Sequence, residues 1–230
     1  MRRAVILLSG GMDSATTLAL ALREGFETHA LSVRYGQKNS LELERAPLIA
    51  RILGSASHRF ASVELAVPGA SALTDARIPV PKELPDAPPR SGIPLTYVPA
   101  RNTVLLSMAL SYAEALGAQD LFVGINAVDF SGYPDCRPAF LEAFETLANV
   151  ATRAGVEGSL FRIHAPLLNM TKAEIVRAAV ALGVDLGSTL SCYDPDPGGH
   201  PCGACDACRI RARGFRDAGI PDPGLKSGNV

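Results

Sequence analysis

The sequence predicts an α/β fold with an open, five-stranded parallel sheet, and three observations indicate it. Short apolar runs, typical of strands buried on both faces, alternate with segments whose apolar residues recur at helical spacing. Polar loops follow several of the runs, at the edge where an open α/β sheet binds ligands. The chain has 230 residues, 47% of them hydrophobic, which is enough for one core and a small appendage.

The first strand, Ala4 to Leu8, runs into a helix through a turn, Ser9 to Ser14, with the sequence SGGMDS. Glycine lets a backbone approach a ligand closely, and the first turn of a helix presents unpaired N–H groups. The turn is therefore predicted to bind phosphate, although a Gly-Gly turn can also serve only as a helix cap. It matches neither the Walker pattern nor the dinucleotide-binding pattern. Because a carboxylate repels phosphate unless a divalent cation intervenes, Asp13 is interpreted as a magnesium contact or a helix cap.

Two more strands and a helix repeat the pattern. Thr28 to Val33 predicts the second strand, and a polar loop, Arg34 to Lys38, follows it. A helix is expected from Leu41 to Gly54, with Pro47 inside it as a kink or a late start. Phe60 to Leu65 predicts the third strand. The repetition of strand and helix favours parallel pairing.

The pattern lapses between residues 66 and 99. Seven of the 17 prolines lie between Pro79 and Pro99, so the stretch is neither a central strand nor a long helix. It is a surface excursion without a role, or else a lid or a subunit contact. Asn102 is expected to cap a helix beginning at Thr103. Arg101 then lies at the mouth of that helix, available to a phosphate or carboxylate, or else solvated or salt-bridged.

A polar loop follows the fourth strand, which is predicted at Leu121 to Ile125. The loop, 126–138, combines acidic, aromatic and basic residues, which suit a flat heterocycle carrying a carboxylate. An ordinary turn with an Asp–Arg pair is the alternative. Cys136 is interpreted as a small buried residue and not as a nucleophile. A helix from Ala139 to Arg153 is expected next.

The fifth strand, Leu160 to Ala165, leads to a capping box in which Thr171 and Glu174 open a helix. Lys172 lies in the first turn of that helix, where a lysine normally opposes the helix dipole. The conflict is relieved if Lys172 reaches into a phosphate site. Otherwise Lys172 is a solvated surface residue.

Four cysteines near the C-terminus have the spacing Cx9Cx2Cx2C, ahead of a basic helix starting near Arg209. Four thiolates complete a tetrahedral zinc site, which stabilises a segment too small for a core of its own. Disulfides are disfavoured in a reducing cytoplasm, whereas a four-iron cluster is the serious rival. Zinc is favoured because all four ligands are local. These ligands are Cys192, Cys202, Cys205 and Cys208.

Charge and hydropathy exclude two classes of partner. The net charge is −1, and lysine and arginine are scattered, so no basic face for a polynucleotide is expected. The first apolar run stops at Ser9, and no other run approaches the ~20 apolar residues that span a bilayer. We therefore expect a soluble cytoplasmic protein that binds neither nucleic acid nor membrane.

Six features, in this order, resemble the 7-cyano-7-deazaguanine synthases, the QueC family of the PP-loop ATP pyrophosphatases. They are the SGGMDS turn, Arg34 to Gln37, Tyr97 to Asn102, Gly132 to Arg137, Thr171 to Glu174 and the four cysteines. The resemblance covers nearly the whole chain. It departs from the family at Pro47 and in the long proline-rich stretch.

The resemblance implies a fold and a reaction. The fold is a Rossmann-like adenine nucleotide alpha hydrolase domain over residues 1–187, with a zinc-binding segment, 188–230, packed on it. The reaction is that of an ATP-dependent carbon–nitrogen ligase in queuosine precursor biosynthesis. The enzyme adenylates 7-carboxy-7-deazaguanine, ammonia displaces AMP to give an amide, and activation and dehydration of the amide give 7-cyano-7-deazaguanine. Magnesium and zinc are the implied metals, and a homodimer is the implied assembly.

The resemblance also implies site residues. The catalytic residues are Asp13, Lys172 and Arg101. The ATP-binding residues are Leu8, Ser9, Gly10, Gly11, Met12, Asp13, Ser14, Ala15, Thr16, Thr17, Leu18, Tyr35, Gly36 and Gln37. The substrate residues are Asp129, Tyr133, Asp135, Cys136 and Arg137.

Two alternatives share parts of this pattern. A PP-loop enzyme that thiolates tRNA would have the same turn, but it should carry a basic face and cysteines placed for sulfur transfer. A non-enzymatic ATP sensor would need only the turn and the metal, and it would bind ATP without forming AMP.

Overall fold

A parallel sheet of five strands forms the centre of the computed structural model, which describes residues 1–82, 92–126 and 132–225. The strands are β1 (Arg3–Leu7), β2 (Glu27–Arg34), β3 (Ser57–Ser62), β4 (Asp120–Phe122) and β5 (Arg162–His164). The strand order is β3-β2-β1-β4-β5, and every pairing is parallel. The predicted α/β fold and the number of strands are thus confirmed.

Helices cover both faces of the sheet. The described helices are α1 (Met12–Arg23), α2 (Leu41–Leu53), α3 (Arg101–Leu116), α4 (Pro138–Ala151), α5 (Arg153–Val156), α6 (Lys172–Ala181) and α7 (Asp206–Ala218). On one face α1, α2, α6 and α7 pack in one cluster with Ala4 and Ile6 of β1, and on the other α3 and α4 pack with Val5. All three β1 residues are fully buried, which explains why this strand is a continuous apolar run in the sequence. Short 3₁₀ helices lie at Pro134–Cys136 and Leu186–Ser188.

The third strand lies three residues before its predicted position. β3 is an edge strand, so its pairing with β2 alone sets its limits, from His29 opposite Ser57 to Arg34 opposite Ser62. Polar side chains make part of this pairing, because His29 Nδ1 lies 2.8 Å from Ser57 Oγ. The apolar run beginning at Phe60 therefore misled the prediction.

Pro47 does not delay the second helix, so the late start was wrong. α2 begins at Leu41, its Glu44 N–H already bonds to the Ser40 carbonyl, and Gly54 ends the helix with a φ of 87°. Pro47 itself is exposed. The helix continues through it although one backbone hydrogen bond is lost.

Helix α3 begins at Arg101, and Asn102 is not its cap, contrary to the prediction. The Asn102 side chain donates to the Asp135 carbonyl at 3.1 Å and to Cys136 Sγ at 3.0 Å. The Asp135 carboxylate instead accepts from the Asn102 backbone N–H at 2.9 Å. The helix is therefore capped by a residue 33 positions away, which no local pattern indicates.

The long helix predicted from Ala139 to Arg153 is broken near its end. α4 stops at Ala151, and Thr152 opens α5 by accepting a hydrogen bond from the Gly155 N–H at 3.1 Å. The capping box of α6 is present as predicted, with both reciprocal bonds between Thr171 and Glu174.

The cysteine segment is joined to the main core. Helix α7 packs on α6, and its Phe215 belongs to the same buried cluster as Val176 of α6 and Leu18 of α1. Part of the proline-rich stretch is also packed inside, because residues 71–75 are buried. Among the described residues, no helix combines the length and hydropathy that a membrane span requires.

Candidate active site

A cleft of about 280 Å³ opens at the carboxyl ends of β1, β2 and β4. The β1–α1 turn, the loop after β2, the starts of α2, α3 and α6, and the cysteine segment all contribute to its lining. This is the edge where an open α/β sheet is expected to bind its ligand. It brings together residues that are far apart in the sequence.

The β1–α1 turn contains two glycines with different structural roles. Gly10 has a φ of +97°, and a Cβ there would lie 2.0 Å from the Glu42 carbonyl oxygen. Gly11 precedes α1 without a side-chain cap, which leaves the first N–H groups of the helix facing the cleft. Ser14 Oγ steadies the turn by donating to the Gly11 carbonyl at 3.0 Å and accepting from Ser9 N–H at 3.2 Å. The arrangement suits an anion.

Gly124, which follows β4, is a residue the sequence analysis missed. A Cβ at this position would lie 3.1 Å from the Ser14 nitrogen. The residue thereby lets the start of α1 approach the sheet closely. Its only sequence signal was its place inside the predicted fourth strand, Leu121 to Ile125.

Asp13 and Lys172 form an ion pair inside the cleft. Lys172 Nζ contacts Asp13 Oδ2, and Asn126 Nδ2 donates to the same oxygen at 2.9 Å. The other carboxylate oxygen, Oδ1, is buried without a hydrogen-bond partner. The Lys172 side chain is only 15% exposed, so it reaches inward and not into solvent.

Arg101 also lines the cleft, close to the loop after β2. Its guanidinium donates to Tyr35 OH at 3.4 Å and lies 5.6 Å from the centre of the Tyr35 ring. Gln37 Oε1 holds the loop by accepting from the Tyr35 N–H at 2.8 Å. Gly36, with a φ of 80°, turns the loop but lies outside the cleft lining.

The sequence-predicted nucleotide residues divide into two groups. Those that line the cleft are Leu8, Ser9, Gly11, Met12, Asp13, Ser14, Tyr35 and Gln37. Gly10 lies behind the turn, and the helix buries the others. Thr16 and Thr17 use their hydroxyls within α1, on the carbonyls of Met12 and Asp13. Ala15 and Leu18 are buried in the core.

The predicted substrate loop is only partly at the cleft. Tyr133 and Cys136 line it, and Tyr133 OH lies 2.9 Å from Thr96 Oγ1. Asp135 is buried and caps α3, while Arg137 is exposed outside the cleft lining. Asp129 lies outside the described residues.

Glu42, in the first turn of α2, is a second residue that the sequence analysis missed. Its carboxylate lies beside the β1–α1 turn, where burial raises its pKa to about 7. Hydrogen bonds with Ser9 and Gly11 and the charge of Arg101 oppose this shift. Asp13 adds to it by like-charge repulsion.

The four cysteines form a compact group next to the cleft. Their sulfur atoms all lie within 4.8 Å of one another, and those of Cys192 and Cys205 are 4.0 Å apart. A tetrahedral zinc site with Zn–S bonds of ~2.3 Å places its sulfurs about 3.8 Å apart, so the geometry fits the metal. Backbone N–H groups of Cys202 and Asp194 point at Cys192 Sγ, as suits a thiolate.

The sequence comparisons agree with one another. The family model described as queuosine biosynthesis protein QueC matches residues 3–219. A 7-cyano-7-deazaguanine synthase of Anaeromyxobacter sp. (strain Fw109-5) is 62% identical over 224 residues, covering 97% of this chain and 96% of that protein. The protein of the same name from Ralstonia pickettii (strain 12J) is 59% identical over 222 residues, covering 96% and 97%.

Two solved structures share the fold at low sequence identity. An NMN synthetase from Francisella tularensis has a TM-score of 0.50 at 18% identity, covering 99% of this chain and 78% of that one. A predicted subunit of tRNA methyltransferase from Methanocaldococcus jannaschii also has a TM-score of 0.50 at 18% identity, covering 78% and 75%. At this identity the likeness concerns the fold alone.

Proposed function

Because the chain belongs to the family of queuosine biosynthesis protein QueC, we propose that it makes 7-cyano-7-deazaguanine from 7-carboxy-7-deazaguanine, ammonia and ATP. The protein is thus an ATP-dependent carbon–nitrogen ligase. One observation supports this chemistry above the others. Asp13, Lys172 and Arg101 converge on one cleft beside the open start of α1, where a triphosphate can bind.

The reaction begins with adenylation of the substrate carboxylate. The N–H groups at the start of α1 hold the phosphates, and Lys172 and Arg101 stabilise the negative charge of the departing pyrophosphate. Asp13 keeps Lys172 inside the cleft by pairing with it. The acyl adenylate then reacts with ammonia, whereas a free carboxylate would not react with it. Activation of the resulting amide and loss of its oxygen give the nitrile.

Magnesium fits one atom of this site. Asp13 Oδ1 is buried without a partner, and a carboxylate oxygen beside bound phosphates is the ligand that this cation prefers. We propose that Asp13 contacts magnesium, which when bound would neutralise charge on the phosphates.

The deazaguanine is proposed to contact the loop of residues 129–137. Tyr133 and Cys136 are its cleft-facing members, and Tyr97 stacks on Tyr133 with ring centres 6.0 Å apart. Asp135 supports the loop by tying it to α3. Contacts from Asp129 and Arg137 are part of the proposal.

The four cysteines are proposed to bind structural zinc. The segment 188–230 is then a small unit, stabilised by the metal and packed on the domain of residues 1–187. Zinc is preferred to a redox cluster because all four ligands come from one short segment and leave no position open. We also propose a homodimer in the cytoplasm, which sedimentation analysis of the purified protein and fractionation of its host can test.

Analysis of the nucleotide products tests the proposal. Purified protein is incubated with ATP, magnesium and ammonium, with and without 7-carboxy-7-deazaguanine. AMP and pyrophosphate that appear only with this substrate support the proposal. ADP as the product contradicts it. ATP binding without turnover would favour an ATP sensor, and AMP formed only with tRNA would favour a thiolating enzyme.

A further inference from the structure

Glu42 places a second carboxylate against the phosphate-binding turn. A Cβ built on Gly11 would lie 3.0 Å from Glu42 Oε1, so the carboxylate lies close to the residue that precedes α1. Glu42 hydrogen-bonds with the Ser9 side chain and the Gly11 backbone. Glu42 is therefore held inside the cleft in which the proposed reaction takes place.

The two carboxylates of the described cleft lining differ in what they can do. Asp13 is engaged by Lys172 and Asn126 through one oxygen, while the other is the candidate magnesium ligand. Among the described residues, Glu42 makes no ion pair within contact distance; the charges that face it are Arg101 of α3 and Asp13 of α1. Glu42 is thus the carboxylate of this lining that can take up a proton.

The proposed reaction needs a proton acceptor. Attack of ammonia on the acyl adenylate forms a C–N bond, breaks the bond between the carbonyl carbon and the AMP oxygen, and leaves an excess proton on nitrogen. A carboxylate that lines the cleft can serve as this acceptor.

Resting on the proposed function, we propose that Glu42 is the general base that removes protons from the nitrogen during amide and nitrile formation. In the first half, one proton passes from the attacking nitrogen to Glu42 as AMP leaves with the bonding electron pair. In the second half, an N–H proton of the adenylated amide passes to Glu42 as the C–O bond breaks and the C≡N bond forms. AMP is released in each half of the reaction, and after each proton transfer Glu42 gives the proton to solvent.

Burial supports this role. It raises the pKa of Glu42 to about 7, so near neutral pH the carboxyl exists in both forms. A base with a pKa near the working pH accepts a proton in the reaction and releases it before the next turnover. An exposed glutamate, charged throughout, would be a weaker base.

Glu42→Gln tests the proposal, with Glu44→Gln as the control. Both residues lie in the first turn of α2, but Glu44 is exposed and outside the cleft lining. Glutamine preserves the size of Glu42 and one accepting oxygen, and it cannot accept the proton. Two steps are measured separately: pyrophosphate exchange into ATP that depends on 7-carboxy-7-deazaguanine, and amide formation after ammonium is added to the preformed acyl adenylate.

We expect Glu42→Gln to keep exchange within about threefold of wild type and to slow amide formation by about 100-fold, the low end for loss of a general base. Glu44→Gln should leave both rates unchanged. Retained exchange shows that the variant folds and binds ATP. Equal losses in both steps, or unchanged amide formation, would overturn the role of Glu42.

The pH dependence of amide formation distinguishes a general base from a residue with only a structural role, because a structural role of Glu42 would not change it. At a fixed concentration of free ammonia, the wild-type rate of amide formation should fall about tenfold per pH unit below about 7, as Glu42 becomes protonated. Glu42→Gln should lack this limb, and its persistence would overturn the proposal. Failure of the proposed function is distinguishable, because wild type would then show no substrate-dependent exchange.

Discussion

Single residues in this protein derive their chemistry from neighbours far away in the sequence. Lys172 opens a helix, a position that the dipole disfavours, yet its amine pairs with Asp13, 159 residues earlier. Glu42 has an ordinary position in a helical first turn, and burial changes its pKa. Both residues line the same cleft.

Replacing Lys172 with alanine should impair adenylation. The variant loses the cation expected to stabilise pyrophosphate, and Asp13 is left without its ion pair. We expect substrate-dependent pyrophosphate exchange to fall by about 100- to 1,000-fold, as when a transition-state donor is removed. Arg177→Ala, an exposed change on the same helix, is the control and should have little effect. An unchanged exchange rate would refute the role of Lys172.

Replacing Glu42 with glutamine should alter the pH dependence of stability. Burial raises the folded-state pKa of Glu42 from 4.5 to about 7, so the folded protein binds the proton more tightly than the unfolded chain. Stability from this group is present below pH 4.5 and is lost as pH rises through about 7. Relative to wild type, Glu42→Gln should therefore gain on the order of 2 kcal/mol at pH 8.

Urea unfolding of the two proteins at several pH values between pH 5 and pH 8 would measure this gain in unfolding free energy. The same pair should differ least at the acid end of the range. Glu44→Gln should follow wild type throughout. A constant difference at every pH would mean that Glu42 is not buried in its charged form.

At the level of elements, the β1–α1 turn shows how closely the backbone is packed around the site. Gly10 lies against the backbone of α2, and Gly124 lies against the start of α1. Neither position has room for a Cβ without movement of backbone atoms. The β1–α1 turn and the start of α1 therefore lie packed between α2 and the segment after β4.

Gly10→Ala should destabilise the protein more than an alanine whose only cost is a positive φ. The new Cβ would lie 2.0 Å from the Glu42 carbonyl oxygen, and the residue would also keep a φ of +97°. Gly25→Ala is a matched control, since its φ is +83° and nothing lies within 4 Å of its Cβ position.

We expect Gly25→Ala to cost about 1 kcal/mol of unfolding free energy, and Gly10→Ala to cost at least about 3 kcal/mol. Gly10→Ala should also lose affinity for ATP, whereas Gly25→Ala should keep it. Urea unfolding and ATP titration measure the two quantities. Equal costs would show that the turn has room to move away from α2.

At the scale of the whole molecule, the cysteine segment packs directly against residues that line the cleft. Helix α7 starts beside the four cysteines, and its Gly214 lies against the side chain of Lys172, where a Cβ would approach Lys172 Cβ to 3.0 Å. Phe215 enters the core shared with α1. Tyr193 and Ala207 complete one wall of the cleft.

Removing the metal should therefore loosen the segment and slow adenylation together. A chelator, or the change Cys205→Ser, should lower hydrogen-exchange protection in residues 192–218 while β1 and β2 stay protected. The thermal midpoint should fall, because structural zinc contributes folding free energy. Metal content before and after treatment identifies the ion. Full loss of activity with unchanged protection in this segment would contradict a structural role.

Much of the fold follows from local patterns. Apolar runs and helical spacing are local consequences of burial, so the five strands, the capping box of α6 and the Gly54 helix end were all predictable. The β1–α1 turn and the group of four cysteines are also local, since each lies within a short segment. Edge strand β3 was misplaced because pairing, and not hydropathy, sets its limits.

The site depended on residues that only folding brings together. The sequence alone established the fold class, the turn, the cysteine group and the resemblance to a family, because each is written in residues close to one another. Tertiary packing decided that Asp135 caps α3, that α1 approaches Gly124 closely, and that Lys172 pairs with Asp13. It also decided the chemistry of Glu42, because the pKa of a carboxyl depends on the water removed around it, and that is a property of the folded chain.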